Sequence, residues 1–156
     1  LRRILHTEIF CREYRAVCIG CPKPLSGTVN APIGRDETSA VRRTVRPDGQ
    51  QAVSHYEVLA SRNGLSLVRL LPETGRTHQL RVHMAYLGCP LAGDWLYGTE
   101  DPELIPRPAL HSYKLSLIHP ITGKHLTFTA PVPADMLKLI EGTTPFQNQL
   151  TEESSC

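Results

Sequence analysis

The chain has 156 residues, of which 40% are hydrophobic and 21% are charged, so it can form one compact domain, or a large piece of one, with its own core. This composition excludes a disordered, collagen-like or coiled-coil protein, and no apolar run approaches the ~20 residues of a membrane helix. The net charge of +2 conceals an asymmetry, because residues 1–81 carry 13 basic and 7 acidic side chains, whereas residues 82–156 carry 4 and 8. Arginines make up 13 of the 17 basic residues, and arginine pairs bidentately with phosphate, so we expect the first half to face an anionic partner.

The first third of the chain predicts one strand followed by irregular structure. Residues 1–10 have the composition of the end of a helix, and residues 13–20 are β-branched and apolar enough for a strand. A turn is predicted over residues 22–27. Residues 28–51 contain Gly, Pro and Asp among four arginines and show no sustained hydrophobic period, so we predict an exposed, basic connecting region.

The middle of the chain gives the clearest local signals. Residues 52–60 and 65–71 are strand-like, and Asn63-Gly64 between them is the strongest short signal for a hairpin. A turn follows over residues 72–75. Apolar residues at helical spacing, followed by Gly88, then predict a helix over residues 77–87.

The last third of the chain predicts a second hairpin among loops. The predicted segments are a loop over residues 89–98, a proline-rich surface stretch over 102–108, strands over 110–119 and 124–130, and a short helix within 131–140. Residues 141–156 are polar and are expected to fray. The order of the elements predicts an α+β fold with a mixed, mainly antiparallel sheet flanked by short helices.

The cysteines give information about the compartment. There are five, an odd number in a chain that needs no disulfide framework, so we expect a reducing, cytoplasmic environment. Cys18 and Cys21 form a C-x-x-C pair, which is a candidate zinc or redox site. Because no second ligand pair follows at zinc-finger spacing, we expect no metal there. The chain begins with Leu1 and has no signal peptide, so we also expect a processed or excerpted chain.

The segment with the most chemical information is residues 73–83, ETGRTHQLRVH. A glycine turn before a helix places basic and polar side chains where free backbone N–H groups and the helix dipole already favour anions. On a helix, His78 and Arg81 would share a face, whereas Leu80 and Met84 would point elsewhere. An ordinary solvated helix start would show the same composition. His78 and His83 are five residues apart, which does not match the spacing of a helical zinc pair.

The string TGRTHQLRVHMAYLGCPLAGDWLYG at residues 74–98 resembles the signature of the RluA-type RNA pseudouridine synthases. Further matches occur in order: EYRAV at 13–17 with Gly20, APIG at 31–34, SHYEVL at 54–59, LHS at 110–112 and HPITG at 119–123. The resemblance implies conversion of uridine to pseudouridine in ribosomal or transfer RNA. It also implies a mixed-sheet α+β catalytic domain, a structured RNA as partner, and neither cofactor nor metal.

The resemblance also implies roles for single residues. The reaction breaks the N1–C1′ bond, turns the uracil and joins C5 to C1′, so the nucleotide must be flipped into a closed pocket. Tyr14 matches the tyrosine that packs on the uracil and helps to remove the C5 proton. Arg81 matches the arginine that pairs with the catalytic aspartate and keeps it ionised. Leu80 matches an apolar pocket residue, and the residues expected to hold the loop and the RNA are Arg76, Thr77, His78 and Gln79.

The residues by themselves leave other interpretations open. Tyr14 could be a core tyrosine of a strand, Arg81 a phosphate-contacting or surface arginine, and Gln79 a cap of the helix turn. Asp94 is expected to form a turn or to cap a helix.

The family's nucleophilic aspartate belongs to a His-Arg-Leu-Asp type motif that precedes the Tyr14 segment, and this sequence contains no such motif. We therefore expect residues 1–143 to be the C-terminal portion of a catalytic domain, inactive by itself, and residues 144–156 to be a disordered polar tail. The alternative is a non-catalytic RNA-binding relative.

Overall fold

The computed structural model describes residues 10–140, which form a six-stranded sheet, a two-stranded hairpin and two short helices. The elements in chain order are β1 (Phe10–Ile19), β2 (Ser26–Asn30), β3 (Ile33–Arg35), β4 (Arg43–Val45), β5 (Val53–Arg62), β6 (Leu65–Pro72), α1 (Gln79–Tyr86), β7 (Leu110–Ile118), β8 (His125–Thr129) and α2 (Ala134–Leu137). The large sheet has the order β2-β5-β6-β1-β7-β8, and its neighbouring strands are antiparallel. The predicted α+β class with a mainly antiparallel sheet is confirmed.

The central strands are buried on both faces, because successive side chains of a strand point to opposite sides of the sheet. On one face, Ala16 and Cys18 of β1 share a core with Leu80 and Met84 of α1. On the other face, Val17 belongs to a second core together with residues of β5, β6 and α2. The two cores explain why residues 16–19 of β1 and most residues of β6 are apolar. They also place α1 on one defined side of the sheet.

Both predicted hairpins are confirmed. β5 and β6 are joined at Asn63 and Gly64, which have φ values of 53° and 78°. These positive φ values are the left-handed conformation that Asn and Gly tolerate best. β7 and β8 form the second hairpin, with Gly123 at φ 70° in its turn. α1 ends at Tyr86, one residue before the predicted end, and Gly88 follows it in the left-handed conformation expected there, with φ 84°.

Two predictions about loops were wrong. Residues 28–51 are not simply a connecting region, because β2 pairs with β5, and β3 pairs with β4 to form a small hairpin. β3 and β4 have three residues each, which is too short to produce a periodic pattern. The proline-rich stretch over residues 102–108 is not all surface, because Ile105 is fully buried in the second core.

Several predictions fall outside the residues that the structure describes. These are the helix end over residues 1–9 and the polar tail over residues 144–156. Phe10, which was predicted to belong to that helix, is the first residue of β1. Within residues 10–140, no helix is long and apolar enough to cross a bilayer.

Candidate active site

A cleft of about 260 Å³ lies where β1 meets the loop before α1. Six of the seven residues predicted for the site line it: Tyr14, Arg76, His78, Gln79, Leu80 and Arg81. The seventh, Thr77, lines an adjoining groove. The chain thus brings residues from β1 and from the segment over 76–81 together at one depression, although some sixty positions of sequence separate them.

Tyr14 projects from a central position of the sheet. It lies opposite Leu70 of β6 and Ser112 of β7, and it packs against the core that contains Leu80. The pairing of β1 with β7 shifts register between Glu13 and Tyr14. Such an irregularity re-aims side chains and is common beside functional sites. The ring is half-buried, so it offers an aromatic wall to the cleft.

Buried ion pairs fix the strand that carries Tyr14. Arg15 and Arg69 are cross-strand partners, and both pair with the carboxylate of Glu13. The Arg15 guanidinium also lies 3.9 Å from the centre of the Tyr113 ring. Burial by itself would raise the pKa of Glu13, but the hydrogen bonds from Arg69 and Arg15 bring it below its ordinary value. Glu13 is therefore ionised at neutral pH and ties three positions of the sheet together.

The loop before α1 is held by the side-chain amide of Gln79, which is buried. Its Oε1 accepts hydrogen bonds from Thr74 Oγ1 at 2.6 Å and from the Arg76 backbone N–H at 3.1 Å. Its Nε2 donates to the Val53 carbonyl at 2.9 Å and to Ser54 Oγ at 2.8 Å. The amide thus makes four hydrogen bonds within the protein, which fix the backbone at Arg76.

The predicted start of the helix was two residues too early. α1 begins at Gln79, and His78 before it has φ 56° and ψ 20°, in the left-handed region. Thr77 and His78 therefore lie outside the helix, and His78 does not share a helical face with Arg81. A left-handed residue that is not Gly costs free energy, and the surrounding contacts must hold it.

Tyr97 provides the contact that holds His78. Its Oη lies 2.8 Å from His78 Nδ1, and the two rings meet edge to face with centroids 5.6 Å apart. The same Oη accepts a hydrogen bond of 2.9 Å from the Arg43 backbone N–H of β4. Burial and the charges of Arg81 and Arg43 lower the pKa of His78. The imidazole is therefore neutral at pH 7.

Arg81 pairs with Asp94, a partner that the sequence analysis did not identify. Its Nε donates to Asp94 Oδ2 at 2.9 Å and its Nη2 to Asp94 Oδ1 at 2.8 Å, so the pair is bidentate. Oδ1 also accepts the backbone N–H groups of Leu96 and Tyr97 at 3.1 Å, so Asp94 does form the turn that was expected of it. The Nη1 group of Arg81 has no hydrogen-bond partner in the region 10–140 and is available to a group in the cleft.

Burial and hydrogen bonding act in opposite directions on the pKa of Asp94. Burial would raise the pKa of Asp94, whose side chain is 0% exposed. The hydrogen bonds from Arg81, Tyr97 and Leu96 outweigh burial and bring that pKa below its ordinary value. The hydrogen bonds to Asp94 raise the pKa of Arg81. Both groups are therefore charged across the physiological range.

A buried hydrogen-bond relay ties α1 to the start of the β3–β4 hairpin. His83 Nε2 lies 2.9 Å from the Ala31 carbonyl, which can only accept, so Nε2 carries the proton. His83 Nδ1 then accepts from Ser54 Oγ at 2.8 Å, and Ser54 Oγ in turn accepts from Gln79. Burial lowers the pKa of His83, which keeps it neutral in this relay. Sequence reasoning missed His83 and Ser54 because only the fold brings them together.

The C-x-x-C pair does not have the properties of a reactive site. Cys18 is fully buried in β1, and burial raises the pKa of its thiol far above its ordinary value. The thiolate, which is the form that binds metal or attacks a disulfide, is therefore strongly disfavoured. Cys18, Cys21 and Cys89 are all free thiols.

A family model described as RNA pseudouridylate synthase matches residues 1–86. The chain belongs to the RNA pseudouridylate synthase family. It is 54% identical over 131 residues to YjbO of Bacillus subtilis strain 168, named an uncharacterized RNA pseudouridine synthase, covering 84% of this chain and 46% of that protein. It is 43% identical over 152 residues to the ribosomal large subunit pseudouridine synthase D of Vibrio cholerae, covering 89% of this chain and 47% of that protein. The chain thus spans about half the length of these curated relatives of the family.

Solved structures from the same family support the fold. The human RNA pseudouridylate synthase domain containing 1 superposes with a TM-score of 0.75 at 26% identity, over 93% of this chain and 65% of that one. The human RNA pseudouridylate synthase domain containing 4 gives a TM-score of 0.66 at 25% identity, over 84% and 62%. The resemblance read from the sequence is confirmed at the level of the family and of the fold.

Proposed function

We propose that this chain is the C-terminal part of the catalytic domain of an RNA pseudouridine synthase that isomerises uridine in ribosomal or transfer RNA. In this proposal residues 1–143 belong to the catalytic domain and residues 144–156 form a polar tail. The observation that carries it is the cleft in which Tyr14, Leu80 and Arg81 meet. Family membership and the match to a ribosomal large subunit synthase support it.

In this proposal the cleft holds the flipped uracil through Tyr14 and Leu80. Tyr14 offers a ring on which the base can stack, and its phenol is the group that helps to remove the C5 proton after C5 has joined C1′. Leu80 contributes an apolar wall beside the same ring. The base can therefore be held by stacking and packing while its glycosidic bond is broken and it turns.

Arg81 is proposed to orient and to keep ionised the nucleophilic carboxylate. Asp94 occupies Nε and one N–H of Nη2, and the free Nη1 is the group that can bind a second carboxylate. A fixed guanidinium lowers the pKa of an adjacent aspartate and so keeps it in the nucleophilic form. The roles of Arg81 and Asp94 are thus separate, with Asp94 holding the arginine in place.

The nucleophile itself is proposed to come from a segment that precedes Leu1 in the parent protein. The sequence has five aspartates, which are Asp36, Asp48, Asp94, Asp101 and Asp135, and none of them follows a His-Arg-Leu triplet. Asp94 already accepts four hydrogen bonds. The chain by itself is therefore expected to bind RNA and to leave uridine unchanged.

The remaining predicted residues are proposed to act around the flipped nucleotide. In this proposal Arg76 and Thr77 contact the RNA strand, and neutral His78 hydrogen-bonds to it. Gln79 acts through the loop, since its amide is engaged with Thr74, Arg76, Val53 and Ser54. Tyr14 and Arg81 are proposed to be the catalytic residues. The reaction as proposed uses no cofactor or metal.

The RNA class can be tested in cells. Ribosomal and transfer RNA would be purified separately from a strain with the intact gene and from one without it, and pseudouridine would be quantified in nucleoside digests. We expect one fraction to lose a defined amount of pseudouridine in the deletion strain, and the intact gene to restore it. Unchanged pseudouridine in both fractions would contradict the proposal. That result would favour the alternative, which is a relative that binds RNA but does not catalyse a reaction.

A further inference from the structure

A second depression, which we call the arginine groove, adjoins the cleft. It measures about 380 Å³ and is lined by Arg35 of β3, Arg43 of β4, and Arg76 and Thr77 of the loop before α1. Arg76 lines both the groove and the cleft, so the two depressions adjoin at that side chain. Apart from Arg76 and Thr77, the residues that line the groove belong to the segment over residues 28–51, which the sequence analysis predicted to be a connecting region.

The charge in the groove is unbalanced. Neither Arg35, Arg43 nor Arg76 forms a salt bridge with any residue of the described region 10–140. The single carboxylate that lines the groove belongs to Asp48, and Arg46 already binds it through Nε at 2.6 Å and Nη2 at 3.0 Å. Three guanidinium groups are therefore left without a matching anion.

The β3–β4 hairpin forces two of these charges together. Arg35 and Arg43 are direct cross-strand partners, and like charges in that position destabilise an antiparallel pair. They share a face with Ile33 and Val45, which pack against Val82 of α1, so both arginines lie on the side that faces the helix. An anion bound between them would relieve the repulsion.

The Arg43 side chain independently indicates that the groove binds a polar ligand. Its Nη1 is shielded from solvent and has no hydrogen-bond partner among the residues described. A buried donor that is left unpaired costs free energy, so an acceptor that reached this N–H group would gain the hydrogen bond and remove the cost. Its backbone N–H is fixed separately by Tyr97, so the hairpin is held in place whether or not the side chain is engaged.

We propose that the arginine groove binds a backbone phosphate of the RNA strand next to the nucleotide held in the cleft. This inference rests on the proposed function, because it takes the cleft to be the site of the flipped uridine. Arginine is suited to the role, since its fork binds phosphate oxygens bidentately. The contact would set the register of the strand without reading its sequence. Arg76, at the junction, would lie between the phosphate and the base.

The test measures binding of a short fluorescein-labelled oligouridylate to the full chain by anisotropy over a range of salt concentrations. The variant R35Q/R43Q removes two charges from the groove. The matched control K124Q/K138Q removes the same charge from exposed positions that do not line the groove. A third variant, R35K/R43K, keeps the charge. Thermal unfolding of each variant shows that the chain still folds.

We expect R35Q/R43Q to bind about tenfold more weakly. The negative slope of log affinity against log salt should become shallower by ~0.7, because one phosphate contact is lost. The control should change affinity less than about twofold, and R35K/R43K should keep the slope. An equal loss in the control, or no loss in R35Q/R43Q, would overturn the proposal. Equal competition by polyglutamate at matched charge would also overturn it, because the groove would then be a general site for acidic polymers.

This result can be separated from a failure of the proposed function. If R35Q/R43Q binds normally while cells still lose pseudouridine on deletion of the gene, only the proposal that the groove binds phosphate is wrong. If the groove behaves as expected but no pseudouridine depends on the gene, the groove binds RNA and the catalytic proposal is wrong. If the unaltered chain does not bind the oligouridylate at all, the groove proposal is overturned.

Discussion

At the scale of single residues, Asp94 determines where the Arg81 guanidinium lies. The carboxylate is completely buried, and it accepts two hydrogen bonds from Arg81 and two from backbone N–H groups. A buried pair of this kind adds little net stability compared with an apolar pair, but breaking it leaves an uncompensated charge. Asp94 therefore acts mainly by positioning the Arg81 guanidinium. Its loss should lower the free energy of unfolding more than the loss of a surface carboxylate does.

The substitution Asp94→Asn tests this point. Asparagine keeps an oxygen for the turn but replaces the acceptor of Arg81 Nε by a donor, so we expect the free energy of unfolding in urea to fall by about 2–4 kcal/mol. Asp135→Asn is the matched control, because Asp135 pairs with Arg107 at 2.9 Å but is 43% exposed. Its effect should stay below about 1 kcal/mol. Equal effects of the two substitutions would show that Asp94 does not hold Arg81.

His83 makes the stability of the fold depend on pH. Burial lowers the pKa of His83 in the folded chain. As the pH falls below the ordinary histidine pKa, the unfolded chain therefore binds more protons than the folded chain does. The contribution of neutral His83 to the free energy of unfolding is therefore complete above about pH 6.5. It is lost as the pH falls toward the pKa of His83 in the folded chain. His78, whose pKa is also lowered, acts in the same direction.

We expect the free energy of unfolding to decrease between about pH 6.5 and pH 5, with a smaller decrease in His83→Gln. Glutamine can still donate to the Ala31 carbonyl but does not titrate. Urea denaturation of both proteins at several pH values checks this, and a parallel dependence in the two proteins would contradict the assignment. Asp94 and Glu13, with lowered pKa values, affect stability only at lower pH.

At the scale of elements, Tyr97 joins two parts of the molecule that are distant in sequence, the β3–β4 hairpin and the segment over residues 78–81. It contacts His78 in the loop before α1, accepts the Arg43 backbone N–H in β4, and lies beneath the Arg81 guanidinium at 5.1 Å from its ring centre. The Tyr97 hydroxyl therefore contacts both the left-handed His78 and the β3–β4 hairpin, and it helps to hold each of them.

Tyr97→Phe removes that hydroxyl while keeping the ring. We expect the Arg43 amide hydrogen to exchange with solvent at least about tenfold faster, because it loses its hydrogen-bond acceptor. The amides of the β5–β6 hairpin should be unaffected and serve as an internal control. Hydrogen exchange followed by NMR measures both at once. Unchanged protection at Arg43 would show that the hairpin is held by other contacts.

The elements differ in how far their sequences predict them, and the difference has a physical cause. The β5–β6 hairpin was predictable because Asn63-Gly64 encodes its own turn between two apolar runs. β3 and β4 were not, because their pairing depends on packing of Ile33 against Val82. The start of α1 was misplaced because the left-handed conformation of His78 is imposed by Tyr97, which lies nineteen residues away in sequence.

The site likewise contains residues that the sequence predicts and contacts that it does not. Tyr14 and Arg81 were identified through a family resemblance, and the structure does place both at one cleft. The partner of Arg81 was not identifiable, because a Gly-Asp pair in a loop indicates a turn and gives no sign of a long-range ion pair. Likewise, nothing in the sequence pairs His83 with Ser54, since that contact exists only when α1 packs on β5.

At the scale of the whole molecule, the two faces of the sheet carry different elements. One core, with α2, holds the strands together from one side, whereas the opposite face carries α1 and the cleft. The β3–β4 hairpin extends that second face with a line of arginines next to the cleft. In the proposed function this chain therefore supplies the walls of the site and the contacts to RNA, and the preceding segment of the parent protein supplies the nucleophile.

Arg81 is proposed to serve an isomerase whose nucleophilic aspartate lies upstream of this chain. The most direct measurement is tritium release from RNA labelled at uracil C5, because C5 loses its hydrogen only when it bonds to C1′. The parent protein extended upstream of Leu1 would be compared with its Arg81→Ala variant and with the present chain. We predict release by the extended protein and none above background by the other two. Release by the present chain would contradict the account, as would undiminished release by Arg81→Ala.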